Sequence, residues 1–288
     1  MARIKAGNIT LGWREWGKGD TTVLFIHGNL ASKDWLDLSA PFFPPGIRTI
    51  GVDWRGCGES DKPPAAPDFA NYSMRQHAED MIAALDALGV EFCHLATHST
   101  GGIIAAHMLL MQPERFGRVL HLDPVSPAGI AFGPEQVAVF DAMSHSREVT
   151  RTVMATAATS LFDARTLAPG QMPRFTQTLA DASRAAFERI IDQTFGVSNG
   201  IWIGTPVNLD KEHKTGELAA RMGEIHHSQL ILWGEHDGWI LRADLERMVR
   251  EMPDCRLVTL PRVGHSANIE MPQLYAGYFG AWFGGLSG

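Results

Sequence analysis

The chain has 288 residues, of which 45% are hydrophobic and 20% charged, so it carries enough apolar material to bury one sizeable core. Its net charge is −7 and its Lys and Arg residues are scattered, which excludes the basic stripe that nucleic-acid binding requires. The cysteines Cys57, Cys93 and Cys255 lie far apart, without the spacing of a disulfide or zinc framework. The composition therefore favours a globular protein whose partner is an uncharged or weakly polar small molecule.

The chain shows no segment that predicts export or membrane insertion. Its first residues lack the apolar region of a signal peptide, and no later stretch reaches the roughly 18 apolar residues of a membrane helix. We expect a cytoplasmic protein with reduced thiols that associates with neither membrane nor nucleic acid. The oligomeric state is open at this stage.

The first 125 residues alternate between short apolar runs and longer helical patterns, which is typical of a parallel sheet with crossover helices. Apolar residues three or four apart predict a helix over 73–88, and Gly89 follows at the C-cap position. Each predicted strand has several apolar residues in a row, as a sheet covered on both faces demands. These strands are 23–26, 47–52, 92–96 and 119–122.

The pattern becomes helical over 127–227, with Met, Ala, Thr and Phe at helical spacing, interrupted at Pro134, at Pro169-Gly170 and over 196–204. Strands are predicted again at 229–233 and 256–260, with a helix at 242–252 between them and a last helix from about Ala267. We therefore predict an α/β fold with a mostly parallel central sheet and helices on both faces. Its core domain comprises 1–126 and 228–288, and 127–227 forms an inserted helical cap.

The segment Ser99-Thr100-Gly101-Gly102 lies between the strand at 92–96 and an apolar helix at 103–111. A tight strand-to-helix turn of this kind projects a nucleophile above the sheet and places the next backbone N–H, that of Thr100, at a helix N-terminus. Thr97 occupies the position where such a turn usually has glycine. The alternative interpretation is that Ser99 is an ordinary helix N-cap.

Other polar residues follow neighbouring strands at the same edge of the sheet, where ligands of open α/β sheets bind. After the strand at 23–26, a glycine turn exposes the N–H of Asn29. We predict that the N–H groups of Asn29 and Thr100 form an oxyanion hole, which stabilises the negative charge that develops on the substrate oxygen. Asp237 and His265 follow the last two strands, in the order Ser, Asp, His that this topology expects. We predict Ser99 as nucleophile, His265 as general base and Asp237 as acid, with Asp123, at another strand end, as the alternative acid.

Two other kinds of site lack support in the sequence, a dinucleotide site and a metal site. The run Gly56-Cys57-Gly58 follows a strand, but Asp61 occupies the third glycine position of a dinucleotide fingerprint and Pro63-Pro64 follow where its helix should begin. The pair His226-His227 and the lone His236 lack the spacing of metal ligands. We therefore predict neither a cofactor nor a metal.

Taken together, these motifs are similar to those of the capped α/β-hydrolase superfamily. The matching segments are 27–29, 53–61, 99–102, 233–237 and 264–266, which span the chain. The resemblance implies an α/β-hydrolase fold but not a substrate, because the superfamily includes esterases, lactonases, carbon–carbon hydrolases, perhydrolases and cofactor-free dioxygenases. A serine at position 99 argues against dehalogenases and epoxide hydrolases, whose chemistry needs a carboxylate nucleophile.

Hydrolysis of a carboxylic ester or lactone of a small, largely apolar substrate is the function we predict, through an acyl-enzyme on Ser99. Alternatives are a carbon–carbon hydrolase of a vinylogous keto acid, with Arg184 or Arg189 binding the substrate carboxylate, a perhydrolase or cofactor-free oxygenase, and a catalytically dead binding module. The predicted pocket residues are His98, Phe132, Phe140, Met143, Met154, Phe162, Trp202 and Trp239.

Overall fold

The computed structural model describes residues 2–168 and 170–285, and its centre is one eight-stranded sheet. The strand order is β1-β2-β4-β3-β5-β6-β7-β8, and every pair from β4 to β8 is parallel. All six predicted strands are present, so the mostly parallel α/β fold is confirmed. The strands are β1 Ala2–Ala6, β2 Ile9–Trp16, β3 Thr21–Ile26, β4 Ile47–Val52, β5 Cys93–His98, β6 Phe116–Leu122, β7 Gln229–Gly234 and β8 Cys255–Leu260.

Sequence patterning did not reveal β1 and β2. They form an antiparallel hairpin at one edge of the sheet, turning at Gly7, whose φ is +59°. Of β1 only Ala6 is buried, so the strand lacks the continuous apolar run that marks the buried parallel strands. A strand that is exposed to solvent over most of its length has a much weaker apolar pattern in its sequence than a buried central strand has.

Ten α-helices accompany the sheet among the described residues. Ser73 is the N-cap of the first of them and accepts a hydrogen bond from the Gln76 N–H at 3.2 Å. Gly89 adopts a φ of +67° just beyond the end of this helix, where the sequence predicts the C-cap. The helices are α1 Met74–Ala87, α2 Gly101–Met111, α3 Pro134–His145, α4 Arg147–Ala157, α5 Asp181–Phe195, α6 Asn199–Trp202, α7 Gly204–Thr215, α8 Arg242–Glu251, α9 Ala267–Glu270 and α10 Pro272–Phe283.

The interval between β6 and β7 contains α3 to α7 and is called the helical insertion below. Two of the predicted interruptions coincide with helix ends: Pro134 opens α3, and Gly196 caps α5. Pro169 lies outside the described residues. The division into a core domain and a cap domain stays a prediction. Across 2–168 and 170–285, no helix is both long and apolar enough to cross a membrane.

The glycine-containing loop after β4 encloses a buried carboxylate, that of Asp53. This side chain accepts hydrogen bonds from the N–H of Lys33 at 2.8 Å, the Lys33 ammonium at 3.1 Å and the N–H of Glu59 at 3.0 Å. A Cβ at Gly58 would lie 2.2 Å from an Asp53 oxygen, and the φ of Gly58 is +46°. The glycines of this loop therefore serve an internal ion-pair network that anchors the segment after β3.

Four histidine side chains are buried deep in the fold. Burial lowers the pKa of His27 and His121 to about 4, and that of His77 and His98 to about 3. In the unfolded chain a histidine has a pKa of about 6.5. The unfolded state therefore binds more protons below that pH, and each histidine removes about 1.4 kcal/mol of stability per pH unit as the pH falls.

We expect the four histidines together to lower the free energy of unfolding by about 5 kcal/mol between pH 7.5 and pH 5.5. Asp123 opposes part of the histidine effect, because burial and the nearby Asp237 charge raise its pKa well above the usual value. Urea unfolding at both pH values measures the difference. As a control, His145→Gln changes a side chain that is 75% exposed, and it should leave this difference in free energy unaltered. Equal stability at the two pH values would contradict the burial of neutral histidines.

Candidate active site

Ser99 occupies a tight turn between β5 and α2. Its φ is +52°, a left-handed conformation that a serine adopts only when the surroundings enforce it. The enforcing contacts are hydrogen bonds: the Ser99 N–H donates to the Leu122 carbonyl at 3.0 Å, and the Ser99 carbonyl accepts from Val125 at 2.8 Å and Gly102 at 2.9 Å. The turn is thereby tied to the end of β6, and the side chain is held at the sheet edge.

Glycines allow the backbone to approach this turn closely. A Cβ at Gly101 would lie 2.2 Å from the carbonyl oxygen of Ile26, and one at Gly28 would lie 2.8 Å from the Cβ of Ser99. Both distances are below any normal contact. The sequence motifs around Gly28 and Gly101 therefore follow from the close packing of β3 against the turn.

Thr97 is accommodated by a buried polar chain that crosses three strands. Its hydroxyl lies 2.7 Å from Nδ1 of His121, and Nε2 of His121 lies 2.9 Å from Oε1 of Gln229. Because Nε2–H donates to the Gln229 oxygen, Nδ1 accepts a hydrogen bond from the Thr97 hydroxyl. The His121 ring is therefore neutral, in keeping with its lowered pKa. The threonine replaces the usual glycine without leaving a buried hydroxyl unpaired.

His265 and Asp237 form a hydrogen-bonded pair at the ends of β8 and β7. Nδ1 of His265 donates to Oδ2 of Asp237 at 2.8 Å, while Oδ1 of Asp237 accepts from the N–H groups of Trp239 at 2.7 Å and Ile240 at 3.2 Å. Burial by itself would raise the pKa of Asp237, but the His265 charge and these hydrogen bonds hold it below the usual value. With Nδ1 protonated, Nε2 of His265 is free to accept a proton.

Asp123, at the end of β6, lies behind this pair. It is fully buried, its φ is +45°, and its Oδ1 accepts the Gly234 N–H at 2.8 Å. The His265 ring donates its hydrogen bond to Asp237, the acid that the sequence predicts first. Asp123, the alternative, is nearby without making that bond.

A cavity of about 380 Å³ brings the separate sequence motifs together. Ser99, Thr100, Asn29 and His265 all line it, although they come from three different strand ends, those of β5, β3 and β8. Among the described residues, neither the Asn29 N–H nor the Thr100 N–H donates to a backbone carbonyl, so both are available to a bound oxygen. The arrangement offers a hydroxyl, an imidazole and two N–H donors around one space.

Comparison with known proteins agrees with this geometry. Residues 21–272 match the profile of a family described as "alpha/beta hydrolase fold". The chain belongs to this α/β-hydrolase fold family. It is 24% identical over 268 residues to a 2-hydroxy-6-oxo-6-phenylhexa-2,4-dienoate hydrolase of Burkholderia cepacia, which covers 91% of this chain and 87% of the relative.

Solved structures show the same α/β-hydrolase fold over nearly the whole chain. The enol-lactonase from Burkholderia xenovorans LB400 superposes with a TM-score of 0.76 at 15% identity, covering 98% of this chain and 99% of that one. Est816, described as an N-acyl homoserine lactone degrading enzyme, gives a TM-score of 0.71 at 22% identity, covering 98% and 100%. At such identities the likeness concerns the fold.

The structure places most of the predicted pocket residues around the cavity of this α/β-hydrolase. Two of them flank the imidazole of His265: the His98 ring lies 4.9 Å from that ring, and the Trp239 ring lies 5.3 Å from it. Nε2 of His98 also lies 2.9 Å from the His265 carbonyl oxygen, which it donates to. The predicted residues that line the cavity are His98, Phe132, Phe140, Met143, Met154 and Trp239.

The prediction was wrong for Phe162 and Trp202, which do not line the cavity. Phe162 packs inside the helical insertion, with ring centroids 4.7 Å from Phe175 and 5.0 Å from Phe187. Trp202 is buried against Phe195, at 6.3 Å between centroids. Helical spacing marks a side chain as buried but does not say whether it faces a neighbouring helix or the substrate cavity.

Several lining residues were not predicted, and Trp35 is the most prominent of them. It lies in the loop after β3, six residues beyond Asn29, and its ring is 5.4 Å from that of His98. An aromatic residue so soon after a predicted oxyanion turn was a usable signal. The remaining ones depend on how the insertion packs, and they include Val125, Ile130, Gln136, Val139, Val153 and Leu209.

The cavity wall carries no charged side chain among the described lining residues, which contain neither Asp, Glu, Lys nor Arg. The two arginines considered for a substrate carboxylate lie elsewhere. Arg184 donates to the carbonyls of Thr176 and Leu179 within the insertion. Arg189 is half exposed and approaches Asp37 at 3.8 Å. The described part of this wall therefore offers no Lys or Arg to a substrate carboxylate.

Proposed function

We propose that the protein is a serine hydrolase that cleaves carboxylic esters or lactones of small, uncharged, largely apolar substrates. The observation that carries the proposal is the strained turn that places Ser99 in the same uncharged cavity as His265. Nδ1 of His265 is hydrogen-bonded to the buried carboxylate of Asp237. A nucleophile, a base and an orienting carboxylate are the minimum set for acyl transfer. The family membership agrees with this assignment.

The reaction proceeds in two symmetrical halves. The Ser99 oxygen attacks the carbonyl carbon while its proton passes to Nε2 of His265, and the carbonyl oxygen becomes an oxyanion between the N–H groups of Asn29 and Thr100. Collapse breaks the bond to the alcohol oxygen, which takes the proton from His265. Water then attacks the acyl-enzyme in the same way and releases the acid and Ser99.

Asp237 contributes orientation and charge. Its hydrogen bond keeps the Nδ1–H tautomer of His265, and its carboxylate stabilises the imidazolium that forms in each half reaction. Two further backbone donors, from Trp239 and Ile240, fix the other carboxylate oxygen. Asp237 is thus held in place before the substrate arrives.

The uncharged cavity wall favours ester hydrolysis over the second candidate function, carbon–carbon hydrolysis of a keto acid. The relative from Burkholderia cepacia suggests that second function. A keto acid would have to bury a carboxylate in a cavity whose described residues offer no cation, at a cost of several kcal/mol. An uncharged acyl chain has no such cost, because aliphatic and aromatic side chains surround it.

We expect kcat/KM for p-nitrophenyl hexanoate to exceed that for the mono-p-nitrophenyl ester of adipic acid by at least about 100-fold. The two esters share the leaving group and the acyl chain length, and they differ in the terminal carboxylate. Stopped-flow release of p-nitrophenol measures both. Equal rates, or faster cleavage of a vinylogous keto acid than of any ester, would overturn the proposal.

A charge variant sharpens the same comparison. Val139 lines the cavity but is 44% exposed, so Val139→Arg adds a cation at the wall without burying it. This change should lower the ratio of the kcat/KM values of the uncharged and the charged ester, because it raises kcat/KM for the charged one. Val137→Arg, on the same helix, exposed and outside the cavity wall, is the matched control and should leave the ratio unchanged.

A further inference from the structure

Two buried aspartates lie side by side behind His265, and the proposed reaction uses only one of them. One carboxyl oxygen of Asp123, one of Asp237 and one ring nitrogen of His265 lie within 4.8 Å of one another. Both carboxyl groups are buried, and within the described residues neither forms an ion pair with Lys or Arg. Two carboxylates this close in a buried site do not both ionise.

The hydrogen-bond partners indicate which of the two keeps the proton. Asp237 accepts three hydrogen bonds, from His265, Trp239 and Ile240, and each favours its ionised form. Asp123 accepts one, from Gly234 to Oδ1. Its Oδ2 is buried, and no N–H or hydroxyl group of the described residues reaches it. A buried oxygen without a donor is accounted for if it carries a proton itself.

The charges that face Asp123 point the same way. Besides Asp237, the charged group that acts on it is Glu270 of α9, which accepts N–H bonds from Ser160, Gly264 and Ser266. Burial and the negative charges of Asp237 and Glu270 raise the pKa of Asp123 well above its usual value. His265, by contrast, lies against Asp237 and favours its ionised form.

We infer that Asp123 is a neutral carboxylic acid at neutral pH whose O–H donates to the Asp237 carboxylate and so positions Asp237 for His265. The inference deepens the proposed function, on which its kinetic consequences rest. Asp123 is a positioning residue, because it reaches the reaction only through Asp237. The Oδ1 bond to Gly234, at the end of β7, holds the acid at the base of the loop that carries Asp237.

Asp123→Asn is the discriminating variant, because an amide reproduces a protonated acid: its oxygen accepts from Gly234 and its N–H donates to Asp237. We expect kcat within about threefold of wild type and an unchanged midpoint on the acidic limb of the kcat/KM profile. If Asp123 were ionised, removing its charge would displace that midpoint by about one pH unit or more. A displacement of that size would overturn the inference.

Asp123→Leu removes both hydrogen bonds and should lower kcat by about 10- to 100-fold with KM nearly unchanged, because Asp237 and His265 lose their exact placement. Recovery by asparagine but not by leucine separates a hydrogen-bonding role from mere filling of space. Asparagine and leucine variants that are equally impaired would contradict the assignment of a donor.

Infrared spectroscopy tests the proton without any substrate. With ¹³C-labelled aspartate, wild-type protein at pH 8 should show the carbonyl band of a protonated carboxylic acid, and Asp123→Asn should lack it. Because Ser99→Ala should keep the band, this readout stands even if no ester is cleaved. Absence of the band in wild type, or a divalent cation that survives dialysis against chelator at this site, would overturn the inference.

Discussion

Ser99→Ala is expected to lower kcat for a good ester by about 10⁶-fold, which is the size of loss seen when a triad nucleophile is removed. The alanine deletes only the hydroxyl, so the cavity and its two N–H donors remain. The residual rate reports what these donors and substrate binding contribute. Steady-state kinetics with an active p-nitrophenyl ester measures the loss.

The matched control is Ser266→Ala, a change at a buried serine next to His265 that lies outside the cavity wall. Its activity should stay within about tenfold of wild type. Circular dichroism on both variants establishes that they fold, and labelling with a fluorophosphonate should occur in wild type and Ser266→Ala but not in Ser99→Ala. Turnover by Ser99→Ala near the wild-type rate would rule out the acyl-enzyme, whereas labelling without turnover of any ester would favour a binding module.

Asp237→Asn is expected to lower kcat by about 10⁴-fold, as the equivalent change does in serine proteases. The amide keeps the shape of the carboxylate, and its oxygen still accepts from Trp239 and Ile240. It cannot both satisfy those donors and accept from Nδ1–H of His265, so the imidazole shifts to the wrong tautomer. The imidazolium also loses its countercharge.

Asp123→Asn provides the comparison for this variant, since both substitutions convert a buried acid to an amide within one cluster. The ratio of their kcat values should be about 10³ or more in favour of Asp123→Asn. The reverse order would mean that the acid acting on His265 is Asp123 and that the hydrogen bond from His265 to Asp237 has another purpose.

The sequence by itself predicted six of the eight strands, the helices that follow them and the polar residues of the site at the strand ends. Continuous apolar runs identify strands that are buried on both faces, and helical spacing identifies amphipathic helices, because both patterns are local. The carboxyl ends of parallel strands meet at one edge, so Ser99, Asp237 and His265 were expected together before any contact was known. The strands β1 and β2 were not predicted because neither has a continuous buried run: β1 is an edge strand in which only Ala6 is buried, and the last four residues of β2 are partly or fully exposed.

Only the tertiary structure decided which acid contacts His265 and which side chains line the cavity. Asp123 and Asp237 both follow strands, and only the packing of the loops shows that Asp237 bonds the imidazole while Asp123 lies behind it. The same holds for the cavity wall, where Phe132 and Met143 face the cavity and Phe162 and Trp202 do not. Periodicity fixes which face of a helix is buried, but the neighbour that buries it depends on contacts between residues distant in sequence, and these follow from the fold as a whole.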